Sequence, residues 1–326
     1  MWREGLLLFE VLHFVVQLVH LGIDLILLQD ALADEKRGET VQEDAVLDDH
    51  LLELLIVVVG FAVVGIDVGG TKIAAGVVDA ESGRVLAREE LPTLPERGGE
   101  AVLSDCAALV QALGAGDVAV GIGLCELVDL NGRPESAETV DWRGLDAAAA
   151  IAAPRVVLES DVRAAARAEA RFGAGVGRSP FLYVVVGTGA SVCLVVNGEP
   201  YPGARGRAIV LGAPPVEWIA SGRGLTGRAG AERAEAVLAD PAWTSLVDEA
   251  AAALGQVLAV LVNALDPTVL VIGGGLGGEP AFRERVAEVV RSSIAYPPVP
   301  SLEILGSELG PDGGLVGAAL AALKPR

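Results

Sequence analysis

The chain has 326 residues, 52% of them hydrophobic, and a formal net charge of −20. It is long enough for two domains with separate cores, and its acidity without a local basic patch argues against a nucleic-acid partner. Three scattered cysteines, Cys106, Cys125 and Cys193, contain no Cys-x-x-Cys pair, so neither a disulfide framework nor a zinc site is supported.

Residues 1–60 differ from everything after them. The apolar run from Leu6 to Leu28 carries Glu10, His13, Gln17, His20 and Asp24. Each ionisable group at the centre of a bilayer costs roughly 2.5–3.5 kcal/mol, which argues against a membrane span. A basic leader and a small-residue cleavage site are lacking, which argues against a signal peptide. Two expectations remain for this segment: an amphipathic helical appendage, or an overlong start with the functional protein beginning near Phe61 to Val64. The second is favoured because the first strand of the fold needs nothing before it. All three histidines (His13, His20 and His50) lie here, so a general base in the remainder must be a carboxylate or something rarer.

From Phe61 onward the pattern is α/β. Strands are expected at 62–67, 73–79, 84–91, 118–123, 156–158, 181–186, 191–196 and 268–272, and helices at 100–113, 161–172, 219–229, 244–264, 280–294 and 313–323. The first strand pair encloses Asp67-Val68-Gly69-Gly70-Thr71-Lys72. An acid leaving a strand, two glycines that expose backbone N–H groups, a hydroxyl and a lysine can hold a polyphosphate and its hydrated Mg²⁺. The run is neither a Walker loop nor a dinucleotide fingerprint, because the glycines are adjacent and the chain continues as strand. An ordinary Gly-Gly hairpin turn is the alternative.

The second half repeats the design at Val186-Gly187-Thr188-Gly189-Ala190, where the glycines allow close backbone approach and Thr188 offers a hydroxyl. Later, the apolar strand Val269–Ile272 ends in Gly273, Gly274 and Gly275, a flat surface on which a purine could lie. Two such halves can clamp a nucleotide between them.

With these motifs in order, residues from about Val63 to Leu323 resemble the ROK family of sugar kinases and sugar-responsive repressors. Supporting runs are Ser160-Asp161 with Glu169, Leu261-Val262-Asn263-Ala264-Leu265-Asp266-Pro267 and Ser307–Leu315. The resemblance implies a two-lobed actin-like ATPase fold, α/β and ribonuclease H-like, with the active site in the interlobe cleft. The lobes would be residues 61–172 and 173–326. It implies ATP and Mg²⁺ as cofactors, a small-molecule sugar as partner and a homodimer; the acidic balance separately suits a cytoplasmic protein without nucleic acid, and the polar groups of residues 6–28 one without a membrane span. Asp161 matches the catalytic base, although an aspartate there also suits a helix cap. Asp67 would organise Mg²⁺ through water. Gly69, Gly70, Thr71, Lys72, Gly187, Thr188, Gly189 and Gly273–Gly275 would handle ATP, with Lys72 equally readable as a solvated lysine.

The departures bear on substrate. Ser160 stands where the family has Asn, and Val210-Leu211-Gly212-Ala213 replaces Glu-Leu-Gly-His. The Cys-rich zinc loop is missing, so no zinc is expected. Glu217 matches a sugar-binding glutamate, or is simply an acid at a helix start. Gly123-Leu124-Cys125-Glu126 puts a carboxylate where the family has glycine. One imidazole lost and one carboxylate gained would favour an ammonium in place of a hydroxyl. Glu126, Ser160, Asp161 and Glu217 are therefore assigned to substrate. The resemblance then points to 6-hydroxyl phosphorylation of an amino sugar such as kanosamine, in antibiotic biosynthesis. The alternatives are a glucokinase or a non-catalytic sugar-responsive regulator.

Overall fold

The structure, a computed structural model, describes residues 62–115, 118–211, 214–295 and 302–324. The expectations for residues 1–60 lie outside the described residues.

The first half runs β1 (Ala62–Val68), β2 (Lys72–Asp79), β3 (Val85–Pro92), α1 (Gly99–Ala112), β4 (Val120–Leu124), a short α2 (Ala147–Ala150), β5 (Val156–Ser160) and α3 (Asp161–Phe172). Its sheet has the order β3-β2-β1-β4-β5, with β4 and β5 parallel to β1. The second half opens with β6 (Phe181–Val186), β7 (Ala190–Val196) and β8 (Glu199–Pro200). It continues through α4 (Pro214–Ala220), α5 (Gly222–Ala229), α6 (Ala234–Ala239) and α7 (Thr244–Leu265). It ends with β9 (Val269–Gly273), α8 (Gly275–Gly278), α9 (Pro280–Ser293), β10 (Glu303–Gly306) and α10 (Gly313–Leu323). The order β8-β7-β6-β9-β10 repeats the plan of the first sheet.

Residue chemistry explains the layers. Central β9 is Val-Leu-Val-Ile-Gly and is buried along its whole length, as a parallel strand covered on both faces must be. Edge strand β3 exposes Arg88, Glu89 and Glu90, charges that discourage further strand pairing. The segment Pro241–Leu265 is long and apolar enough to cross a bilayer by length and composition. Its inner face, with Leu254 and Leu258, is packed into the second core beside Leu182, Leu270 and Ile272.

Two helices exchange sheets. Helix α3 lays Val162, Ala165 and Ala166 against Phe181, Tyr183, Val195 and Val271 of the second sheet. Helix α10 lays Leu315, Val316, Ala319 and Ala322 against Val63, Ala74 and Val78 of the first. The approach is backbone to backbone. A Cβ at Gly65 would meet the Leu315 carbonyl, one at Gly121 the Ala318 carbonyl, and one at Gly317 the Ala164 carbonyl. A lobe border at 172/173 therefore misplaces α10, which packs with the first half. The helix expected at 219–229 is broken at Ser221, whose hydroxyl caps α5 by accepting from the Gly224 N–H at 3.1 Å. Strand β10 and helix α6 went unforeseen because each is short.

Candidate active site

The carboxyl ends of β1, β4 and β5 lie in register, Asp67 opposite Gly123 and Gly123 opposite Glu159. This is where open α/β sheets place ligands. Asp161 follows β5 as the first residue of α3. A Cβ on Gly123 would stand at ordinary contact distance from both acids, 3.6 Å from the Asp161 Cα and 3.7 Å from Asp67 Oδ1, so the two acids flank this strand end and share a floor.

Both acids are half-buried. Burial pushes the Asp67 carboxyl up to about 6, opposed by the charges of Lys72 and Arg88. Burial pushes Asp161 up to about 7, and the negative charge of Asp67 adds to it. The Val162 N–H donates to Asp161 Oδ1 at 2.7 Å and works against that rise. A carboxyl near neutrality is poised to take a proton from an alcohol at physiological pH. Asp67 Oδ2 rests against the first turn of α10, 2.5 Å from where a Cβ on Gly314 would be. Asp67 receives no hydrogen bond among the described residues, and its hard oxygens suit a hydrated Mg²⁺.

The β1–β2 turn is pinned at its base. Gly69 N–H donates to the Lys72 carbonyl at 2.9 Å, and Thr93, buried beside β3, donates from Oγ1 to the Gly69 carbonyl at 2.7 Å. No pattern in the sequence singles out Thr93. Thr71 is exposed. Lys72 Nζ sits 3.1 Å from Glu90 Oε2 on the open face of the sheet, so its protein partner is Glu90. Exposed pairs of this kind contribute about 0–1 kcal/mol, so a phosphate could displace Glu90 at little cost.

In the second half, α5 docks on the β6–β7 turn: the N–H groups of Gly222 and Arg223 donate to the carbonyls of Gly187 and Thr188 at 2.7 and 3.3 Å. Gly187 faces open space and Thr188 is exposed. The carboxylate of Glu217 lies over this turn, 2.6 Å from where a Cβ on Gly189 would be. The three later glycines divide. Gly273 is packed against Tyr183 and Ser307, and Gly274, at φ 84°, against the Val186 carbonyl. Only Gly275 presents open backbone, so the flat three-glycine surface narrows to one position.

Two residues assigned to substrate are buried against protein partners. Ser160 has no exposed surface. Its hydroxyl is 3.5 Å from Asp161 Oδ1, so its protein partner is that carboxylate. Glu126 is 2% exposed, and four donors fill its carboxylate. The Ser136 hydroxyl and the Glu138 N–H (2.9 Å) bond Oε2; the N–H groups of Thr139 (2.7 Å) and Val140 (3.0 Å) bond Oε1. A carboxylate offers about four lone-pair sites, so none is left for an ammonium. Glu169 is buried likewise and holds the 307–309 loop, accepting from Ser307 Oγ at 2.5 Å and Leu309 N–H at 3.0 Å. The Cys125 thiol is pushed up to about 12, first by burial and then by the charge of Asp161. Among the described residues no three metal-ligating side chains cluster.

The model of the ROK family matches residues 63–324. The glucokinase of Streptomyces coelicolor is 31% identical over 319 residues, covering 80% of this chain and 98% of its own. The N-acetylmannosamine kinase of Escherichia fergusonii is 28% identical, covering 79% of this chain and 97% of its own. Among solved structures, the ROK family glucokinase from Streptomyces griseus in complex with glucose and AMPPNP superposes with a TM-score of 0.71 at 30% identity. That match covers 80% of this chain and 99% of the neighbour.

Proposed function

The chain belongs to the ROK family and is a sugar kinase, and from that premise we propose that it transfers the γ-phosphate of ATP to the 6-hydroxyl of a glucose-like hexose. The observation that carries this is the Asp67–Asp161 floor, with Asp161 held near neutrality at the helix start beside the β1–β2 turn. Asp161 accepts the hydroxyl proton as the sugar oxygen bonds to phosphorus and the bond to ADP breaks. Asp67 would hold Mg²⁺ through water, and the ion, when bound, neutralises phosphate charge. Backbone N–H groups of the two glycine turns hold the phosphates, and AMPPNP in the Streptomyces griseus neighbour supports ATP as donor.

Of the acids assigned to substrate, Glu217 keeps a carboxylate that accepts no hydrogen bond among the described residues. It is the candidate for sugar hydroxyls. The amino-sugar preference rested on Glu126, whose acceptors are spent, so the neutral hexose is favoured and kanosamine becomes a comparison substrate. The acidic charge and the family resemblance support a cytoplasmic homodimer. ADP release measured over glucose, mannose, N-acetylmannosamine and kanosamine, with phosphorus NMR on the product, tests all of this. Transfer to glucose at carbon 6 is expected. No ADP release with any of these sugars would overturn the hexose 6-kinase reading, and a preference for kanosamine would restore the amine.

A further inference from the structure

The geometry points to Glu126 as a positioning residue: its carboxylate folds the segment Ser136–Val140 into a wall that joins the phosphate turn to the acceptor side of the site. The inference rests on the kinase reading above and adds a residue to it. Glu126 leaves β4 two residues beyond Leu124 and turns inward. The chain then makes a small hairpin, with Glu135 N–H donating to the Leu127 carbonyl at 2.7 Å and a bridge between Val128 and Pro134. Ser136 closes it, its hydroxyl accepting from Leu127 N–H at 2.8 Å while donating to Glu126. The returning strand of chain then wraps the carboxylate, so that consecutive N–H groups of Glu138, Thr139 and Val140 all point at it.

This arrangement fixes where Thr139 goes. Its Cγ2 lies 3.4 Å from where a Cβ on Gly70 would be, against the β1–β2 turn. The tether itself begins three residues after Gly123, where a Cβ would stand 3.6 Å from the Asp161 Cα and 3.7 Å from Asp67 Oδ1. Thr139 thus packs on the phosphate turn, while the carboxylate that anchors it springs from the strand end beside Asp67 and Asp161, so Glu126 ties the two sides together. A loop in this place excludes water and sets the register between alcohol and phosphate, where small displacements have large rate effects.

The test uses the full chain with Glu126→Gln, Glu126→Ala and Thr139→Ala. The amide in Glu126→Gln keeps one acceptor oxygen for the N–H groups of Thr139 and Val140 and no longer accepts from the Glu138 N–H and the Ser136 hydroxyl. Its kcat/KM for hexose should fall about tenfold, with Glu126→Ala falling further. Thr139→Ala leaves the tether in place and removes the contact, so it should show the same direction. In all three, ADP released without sugar phosphate should rise as a fraction of turnover, a change that general destabilisation would not produce. Hydrogen exchange supplies the second measurement: the amides of 138–140 should be slow in the wild type and fast in Glu126→Ala. Unchanged exchange there overturns the tether. Unchanged hexose kinetics and coupling in both Glu126→Gln and Thr139→Ala overturn its placement of the acceptor. A wild type that phosphorylates no hexose yet protects these amides overturns the kinase reading and leaves the tether standing.

Discussion

The two halves share one strand plan and divide the chemistry unequally. In the first, the carboxyl ends of parallel strands carry Asp67, Glu126 and Asp161. In the second, the equivalent strand ends carry Gly187, Thr188 and Gly273–Gly275, and the acid over the first of these turns, Glu217, arrives from α4. The first turn is pinned from below by a side chain, Thr93; the second is pinned by the N–H groups opening α5. A repeated scaffold thus supplies two backbone cradles, while charge is concentrated on one side. That suits a reaction in which one partner must lose a proton and the other is already anionic.

The sharpest break of this asymmetry is Asp161→Asn. It removes the base and leaves both turns intact, so kcat should fall about 10²–10⁴-fold with AMPPNP affinity nearly unchanged. ADP-release kinetics beside calorimetric AMPPNP binding check it; turnover within a few-fold of wild type would refute the base.

Glycines of the two halves separate next. Gly65→Ala forces a Cβ into the carbonyl of Leu315 on α10, whereas Gly187 has open space around it. Overpacking of the first kind costs about 1–3 kcal/mol. At roughly 2–4 °C per kcal/mol for a domain of this order, Gly65→Ala should lower Tm by several degrees. Gly187→Ala should leave Tm alone and raise the KM for ATP. Thermal melts and ATP kinetics on the pair decide it, and equal Tm losses would contradict the helix exchange.

A third effect is smaller and depends on pH. Asp67 and Asp161 bind protons more tightly in the fold than at the ordinary aspartate value of 3.8. The folded state therefore holds extra protons between about pH 4 and 7. The stability they contribute is complete below about pH 4 and lost as pH rises through 6 to 7. Carboxyls held low, such as Asp129 and Asp141, titrate below this window. Metal-free protein should melt lower at pH 8 than at pH 5.5, and Asp161→Asn should flatten the slope. Melts in EDTA across that range check it; an unaltered slope in the mutant would remove Asp161 as its source.

These contrasts also mark what the sequence could disclose. The strand-end placement of Asp67 and Asp161 was legible because local Gly or helix-start chemistry lies beside each, and short, nearly continuous apolar runs marked most of the strands. Glu126 was misread because its partners are 10–14 residues away in an irregular segment with no periodicity. Ser160 looked like a substrate contact because burial is a property of packing, not of the residue. The exchange of α10 was hidden for a topological reason: chain order puts that helix after the second sheet, and only the close fit of Gly65, Gly121 and Gly317 brings it back to the first.

The smallest expected effect concerns Lys72, the residue that most resembles a phosphate ligand in the sequence. Its Nζ is paired with Glu90, which Arg88 also contacts at 2.8 Å. If the cradle works through backbone N–H groups, as in the second half where no lysine is present in the turn, Lys72 adds only a screened charge. Lys72→Ala should then change the KM for ATP by no more than about twofold and shift Tm little, because exposed pairs contribute about 0–1 kcal/mol. ATP titrations at low and at physiological salt provide the check. A large loss that survives added salt would mean that Lys72 leaves Glu90 and binds phosphate directly, making the two turns less alike than their backbones suggest.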